Sequence, residues 1–389
     1  MSIQDDGIMH TEDIKIFSKT DVKQSHMSDM TFTSTNGINK FFSSFPNEVQ
    51  QYLKKFRSRF DRDEIFDVLD RMGNLNILLV GDTILDDYHY CNVLGTSSKE
   101  PVIAVQYKSN DLFAGGVLAI ANHLANFAGN IRLMTVLGEN DSYEEFILSK
   151  LKSNISPFFA YQENAPTIIK RRFIEGYSLN KLFEVYIMDD SGISTERESL
   201  FAGKIKDEIA GYDLVVSADF GHGTISPVIR NILVENAPFL ALNTQANAGN
   251  RGFHTVSCYP ESNFISLAEH ELRVETRSQS EKIEPLVEVT ATKMKSQYFI
   301  VTRGRKGCLI RNEDGKFTEV PAFAHKVIDR IGAGDAFFAI TAMAAYLGCQ
   351  PEMVGFIGNV VGAIAVENLG NQKSIEKPAV KKYISSLLG

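Results

Sequence analysis

The chain has 389 residues, 44% of them hydrophobic, and a net charge of −8. That length holds one large domain with an appendage, or two domains, and the acidic balance argues against a nucleic-acid partner. Four scattered cysteines, Cys91, Cys258, Cys308 and Cys349, lack CxxC spacing, which argues against a zinc site and against a disulfide framework.

The first fifteen residues are polar and acidic, so they read as neither a signal nor a transit peptide. The apolar run Met353 to Val366 is too short and too glycine-rich to span a membrane. The expected compartment is a reducing cytoplasm, with no membrane partner. Residues 1–45 form a polar tail. Within it, Thr31-Phe32-Thr33-Ser34-Thr35-Asn36-Gly37-Ile38-Asn39-Lys40 has the hydroxyl cluster of a helix start. The cluster resembles the closing motif of cytidylyltransferase-like nucleotidyltransferases. The HxGH motif of that family is missing, so the resemblance implies a remnant or a fused end without activity of its own.

Residues 46–75 predict two short helices as a connector. Pro46 sits near the first start, with Val49, Tyr52, Leu53 and Phe56 on one face. Asp61 is placed to cap a second helix carrying Ile65, Val68 and Leu69. From Asn76 onwards, short apolar strands alternate with helices. Strands are expected at 77–80, 132–137, 214–217, 239–243, 264–267 and 299–302, with helices near 117–127, 142–152, 196–210, 226–236 and 281–295. This alternation predicts an α/β fold, a doubly wound and mainly parallel sheet covered on both faces. Ligands of such sheets bind beyond the carboxyl ends of the strands. Those ends carry Asp82, Asp219, Asn243, Glu269 or Glu271, and Thr302-Arg303-Gly304. Two β-rich stretches, about 88–110 and 165–188, do not fit the main sheet and predict a small separate β lid.

The stretch Asp329-Arg330-Ile331-Gly332-Ala333-Gly334-Asp335 precedes an apolar run that ends at Gly348. A helix apolar all round is buried. Its N-terminus suits an anion, and a carboxylate beside that anion is placed to take a proton from a hydroxyl. The plainer reading is a buried helix with Asp335 as its N-cap. Lys170-Arg171-Arg172 is equally a solvated strand face or a grip for a substrate phosphate. His222 and His270 read as ordinary polar positions, and Asp219-Phe220-Gly221 as a chance triplet. Gly355, Gly358 and Gly362 share a helical face suited to close packing. The polar loop Asn243 to Asn250 reads as a substrate loop or a turn-rich connection.

Several ordered motifs together resemble the ribokinase, or PfkB, family of sugar kinases, and within it the kinase part of heptose-phosphate kinase/ADP-heptose synthase enzymes. They are Gly81-Asp82-Thr83-Ile84-Leu85-Asp86, Gly115-Gly116, Pro166 to Arg172, Val301 to Gly307, Asp329 to Asp335, and Gly358-Asn359 with Gly362. The resemblance covers 76–389 and implies a ribokinase-like kinase domain. It implies that Asp335 is the general base and that Gly332, Ala333 and Gly334 line the anion hole. Asp86, Gly115 and Gly116 would hold the acceptor, with Lys170 and Arg172 on a substrate phosphate. Thr302, Gly304, Gly307 and Asn359 would line the ATP site, and Glu271 would be a metal contact. The implied cofactors are ATP, Mg2+ and a monovalent cation. The implied partners are a sugar or sugar phosphate and a second copy docked through the lid. Ala119, Ile331, Ile340, Ala268 and Gln245 depart from the family pattern. These departures put the substrate, and to a lesser degree activity, in question.

Overall fold

The computed structural model describes residues 44–189 and 191–388, so the Thr31–Lys40 stretch lies outside the described residues. Two helices open the described chain. α1 (Asn47–Arg57) buries Val49, Leu53 and Phe56. α2 (Arg62–Arg71) is capped by Asp61, which accepts the Asp63 N–H, and buries Ile65, Val68 and Leu69. Both bury one stripe of a 3.6-residue period, as their spacing predicts. The Phe56 ring stacks on Phe356 with centroids 4.1 Å apart, so the connector contributes to the core.

The elements that follow are β1 (Asn76–Gly81), β2 (Thr83–Thr96), β3 (Ile103–Gly116), α3 (Val117–Ala125), β4 (Asn130–Asn140), α4 (Glu144–Lys150), β5 (Ile155–Pro166), β6 (Ile169–Glu175) and β7 (Lys181–Ile187). Then come α5 (Thr195–Glu208), β8 (Leu214–Asp219), α6 (Pro227–Asn236), β9 (Leu240–Thr244), β10 (Phe264–Ala268), α7 (Glu269–Thr276), α8 (Ile283–Lys293), β11 (Tyr298–Thr302), β12 (Cys308–Asn312) and β13 (Phe317–Val320). The chain closes with α9 (Ala333–Tyr346), α10 (Pro351–Ala365) and α11 (Lys377–Leu388).

Nine strands form the main sheet in the order β13-β12-β11-β10-β9-β8-β1-β4-β5. β1 pairs in parallel with β4 on one side and β8 on the other. The strand order therefore reverses around β1, and a crevice opens beyond its carboxyl end. The sequence reading omitted β5, β12 and β13. β5 is an edge strand of mixed burial, and β12–β13 is an antiparallel hairpin on the opposite edge. Neither has the continuous apolar run of a central parallel strand.

A second sheet of four strands, β3-β2-β6-β7, forms the lid. Its strands are longer than the sequence implied, because β2 and β3 run from the lid down to Thr83 and Gly116. One continuous strand thus carries Asp86 at the base of the lid. Among the described residues, no helix is long and apolar enough to cross a membrane.

The stacked Phe56–Phe356 pair ties the first helix to α10. Phe56→Ala is expected to destabilise the chain by about 3–5 kcal/mol, the usual cost of emptying a buried aromatic site. Denaturant unfolding of the full chain checks this, and a loss below about 1 kcal/mol would show the connector helices to be peripheral.

Candidate active site

Gly332 is the N-cap of α9, with φ at +78°, a conformation that glycine adopts without strain. Asp335 is the third residue of the helix, so the plainer expectation that it is the N-cap does not hold. The first turn leaves backbone N–H groups without acceptors in the helix, at the positive end of its dipole. The space beside Gly334 is open. α9 buries Ala336 through Ala345 continuously, so its position is fixed by the core. The approach to the helix is held by Asp329. Its Oδ1 accepts from the Arg330 N–H at 2.7 Å, the Ile331 N–H at 3.2 Å and the Lys181 Nζ at 2.7 Å. Its Oδ2 accepts from the Gly370 N–H at 3.0 Å and the Tyr88 hydroxyl at 3.3 Å.

Asp86 faces this helix from β2. Arg172 donates to one carboxylate oxygen, and Asn371 Nδ2 donates to the other at 2.9 Å. A Cβ on Gly115 would fall on that second oxygen, so the glycine makes room for Asp86. Gly116, at φ +54°, lets the chain turn into α3 against the Asp82 carbonyl. Both glycines therefore shape the Asp86 wall, in addition to any approach by a sugar. Burial pushes the Asp335 carboxyl up to about 7, helped by the charge of Asp86 and opposed by Lys170. Burial likewise pushes Glu271 up to about 7, with two backbone N–H groups opposing and Asp335 adding to the rise.

The strand places Lys170 and Arg172 on one face and Arg171 on the other, as β alternation requires. Their roles differ. Arg172 is paired with Asp86 and Glu184. Lys170 lies over the Tyr186 ring at 5.1 Å, and burial lowers its pKa. Arg171 pairs with Asp87 at 2.7 Å. The two cations expected to grip a substrate phosphate are thus divided between an ion pair and a lysine.

Other strand-end groups serve the architecture. Asp82, fully buried, accepts from the N–H groups of Phe220 at 2.8 Å, Thr224 at 3.0 Å and His222 at 3.4 Å. Burial and the neighbouring Asp219 push its carboxyl up to about 6. Asp219 accepts from the Tyr259 hydroxyl at 2.7 Å. The triplet Asp219-Phe220-Gly221 is thus a structural turn. The Asn243 to Asn250 loop is a turn-rich connection. Asn247 and Asn250 exchange backbone-to-side-chain bonds at 3.1 Å, and both amides donate to the Phe220 carbonyl. His222 differs from its expected ordinary role: it is buried, and neither ring nitrogen has a hydrogen-bond partner.

Residues 253–378 match the pfkB family carbohydrate kinase profile. That stretch is similar to the carbohydrate kinases of the pfkB family. It is 24% identical over 297 residues to the bifunctional protein HldE of Haemophilus influenzae (strain PittEE), an alignment that takes in 76% of this chain and 60% of that protein. The chain therefore spans about three fifths of the length of the curated relatives it matches. Its fold superposes on phosphofructokinase-2 from Escherichia coli in complex with potassium, with a TM-score of 0.65 at 12% identity, covering 81% of this chain and 99% of that one. Arabidopsis thaliana ribokinase complexed with ribose and ATP gives 0.60 at 17% identity, covering 80% and 99%. The fold is thus ribokinase-like, with the antiparallel lid beside a mostly parallel sheet.

Within the main sheet, Thr302 ends β11, and Gly304 and Gly307 turn the chain into β12. Gly304 has open space beside it, whereas a Cβ on Gly307 would meet the Val320 carbonyl. Asn359 is buried, and its amide donates to the Val320 carbonyl at 3.0 Å, tying α10 to β13. Gly355 and Gly358 pack closely, against Ile310 and Val320 and against Phe337 and Thr341; Gly362 has open space instead. Glu271, expected as a metal contact, accepts the Ala268 N–H at 2.7 Å. Among the described residues, no group of three or more His, Cys, Asp or Glu is arranged to hold a metal. Asn371 was not singled out from the sequence. It stands in a Gly-Asn-Gln turn that carries no periodic or motif signal.

Between the ordinary carboxylate value and about 7, folded Asp335 keeps a proton that the unfolded chain has released. Native stability therefore falls as pH rises through that window. Asp335→Asn is expected to raise the melting temperature at pH 8 and to leave it nearly unchanged at pH 4. Equal effects at both pH values would show that Asp335 ionises in the folded chain as it does in water.

Proposed function

We propose that the chain transfers the terminal phosphoryl group of ATP to a hydroxyl of a sugar or sugar phosphate. The observation that carries the reading is Asp335: a carboxyl titrating near neutrality, set in the first turn of a buried helix, in the fields of Asp86 and Lys170. As a carboxylate it takes the acceptor hydroxyl proton while the oxygen–phosphorus bond forms and the bond to the departing ADP breaks. The backbone of Gly332, Ala333 and Gly334 offers N–H groups to the phosphoryl oxygens in transit. Asp86, held between Arg172 and Asn371, accepts from acceptor hydroxyls. Thr302 and Gly304 are assigned to the nucleotide side by resemblance, with Gly307 and Asn359 shaping the turn and helix behind it.

The donor chemistry near Asp335 fits a divalent cation. Asp335 adds to the raised proton affinity of Glu271, and a cation between them would relieve it. Glu271 would hold Mg2+ through the oxygen atoms left by its backbone bonds, and the ion would neutralise phosphate charge. By resemblance to the heptose-phosphate enzymes, the acceptor would be a heptose phosphate of surface-polysaccharide synthesis. The lid exposes Val93, Leu94, Ile103, Tyr107, Phe183 and Val185, a surface that would suit a second copy.

Two other readings have less support. A scaffold that has lost catalysis is motivated by Ala119, Ile331 and Ala268. A nucleotidyltransferase rests on Thr31 to Lys40 without an HxGH motif.

The test is ATP turnover by the full chain against a panel of sugars and sugar phosphates. Asp335→Asn should lower turnover by about 10²–10⁴ with little change in ATP affinity. A variant with near-native turnover would remove Asp335 from the chemistry and favour the scaffold.

Lys170→Ala should raise the Michaelis constant of a phosphorylated acceptor more than that of its free sugar. Arg172→Ala should raise both alike, because Arg172 orients Asp86. Steady-state kinetics on matched pairs decide this. An Arg172→Ala effect confined to the phosphorylated member would restore Arg172 as a phosphate ligand.

A further inference from the structure

The segment Gly370-Asn371 touches both halves of the site. The Gly370 N–H donates to Asp329 Oδ2 at 3.0 Å, and the same carboxylate holds the Arg330 and Ile331 N–H groups that lead into the anion hole. The next residue, Asn371, donates its Nδ2 to Asp86 at 2.9 Å. Its Oδ1 occupies the space that a Cβ on Gly332 would take. Gly370 itself, at φ +51°, leaves no room for a side chain against the Tyr88 ring. One side chain therefore contacts the acceptor carboxylate and the backbone of the helix N-cap together. Its amide supplies a donor toward Asp86 and an oxygen against the N-cap.

We propose that Asn371 is a positioning residue that sets the Asp86 carboxylate in register with the anion hole at α9, and so fixes where an acceptor hydroxyl stands relative to Asp335. The inference rests on the kinase reading for its consequence in turnover and on geometry for its consequence in binding. The isosteric change Asn371→Asp separates position from packing. It keeps the shape beside Gly332 and replaces the donor toward Asp86 with a second carboxylate. Asn371→Ala removes both.

The experiment measures kinetics of the full chain together with calorimetric binding of D-ribose, D-mannose and fructose 6-phosphate without nucleotide. The acceptor Michaelis constant, or its dissociation constant, should rise by about tenfold in Asn371→Ala, the loss of one hydrogen bond to a charged group. Asn371→Asp should do at least as much harm. The Michaelis constant for ATP should stay within about twofold, and the unfolding midpoints of both variants should remain close to the native value, since a half-exposed substitution away from the core costs little. An Asn371→Asp chain that binds and turns over acceptor like the native chain overturns the proposal and leaves the kinase reading standing. A native chain that binds an acceptor without turnover overturns the kinase reading, and the binding constants then decide the role of Asn371 alone. A native chain that binds none of the three probes overturns both.

Discussion

The orientation of one carboxylate, Asp86, constrains the rest of the site. It receives a guanidinium from lid strand β6 and an amide from the segment before α11, and it lies in a recess left by Gly115. The lid, the C-terminal segment and the main sheet must therefore all be in place before Asp86 points at α9. Lys181 adds a second tie between lid and site, reaching Asp329 from β7 at 2.7 Å. Lid and site are in this way tied through two carboxylates, Asp86 and Asp329.

Buried carboxyls in this domain divide by what surrounds them. Asp82 and Glu271 both titrate high because burial dominates, yet both are surrounded by backbone N–H donors and serve as anchors for loops. Asp335 is raised by the same burial, but its charged neighbours are Asp86 and Lys170, groups that themselves face the site. A high proton affinity alone does not distinguish the three. Their hydrogen-bond partners and charged neighbours set Asp335 apart from the other two.

Much of this was legible in the sequence, and the reasons for the rest are local. Central parallel strands such as β1 and β8 announce themselves by unbroken apolar runs. The edge strands β5 and β13 alternate or expose half their length, and a short polar run reads equally as a loop. The glycines at 115, 116 and 332 were legible as close approaches. What approaches them is a side chain distant in sequence: Asp86 for the first and Asn371 for the last. Lys170 and Arg172 were correctly placed on one face by strand alternation. Alternation does not say which cation meets an acid, because that depends on the register of β6 against β2, where Arg172 stands opposite Tyr88 and within reach of Asp86. Asn371 left no trace in the sequence because its role is made by tertiary contact alone.

The departures from the pattern that the chain resembles differ in the atoms they change. At Ile331 the group in contact with the site's architecture is the backbone N–H, which donates to Asp329 whatever the side chain. At Ala268 it is again the N–H, which donates to Glu271, so the capping arrangement survives without a polar side chain. Ala119 differs: where the resemblance implies a polar side chain, α3 carries a buried methyl. The first two departures therefore leave the backbone contacts in place, while the third changes a buried side chain. That division separates contacts made by the backbone, which a side-chain change leaves in place, from contacts made by side chains, which it removes.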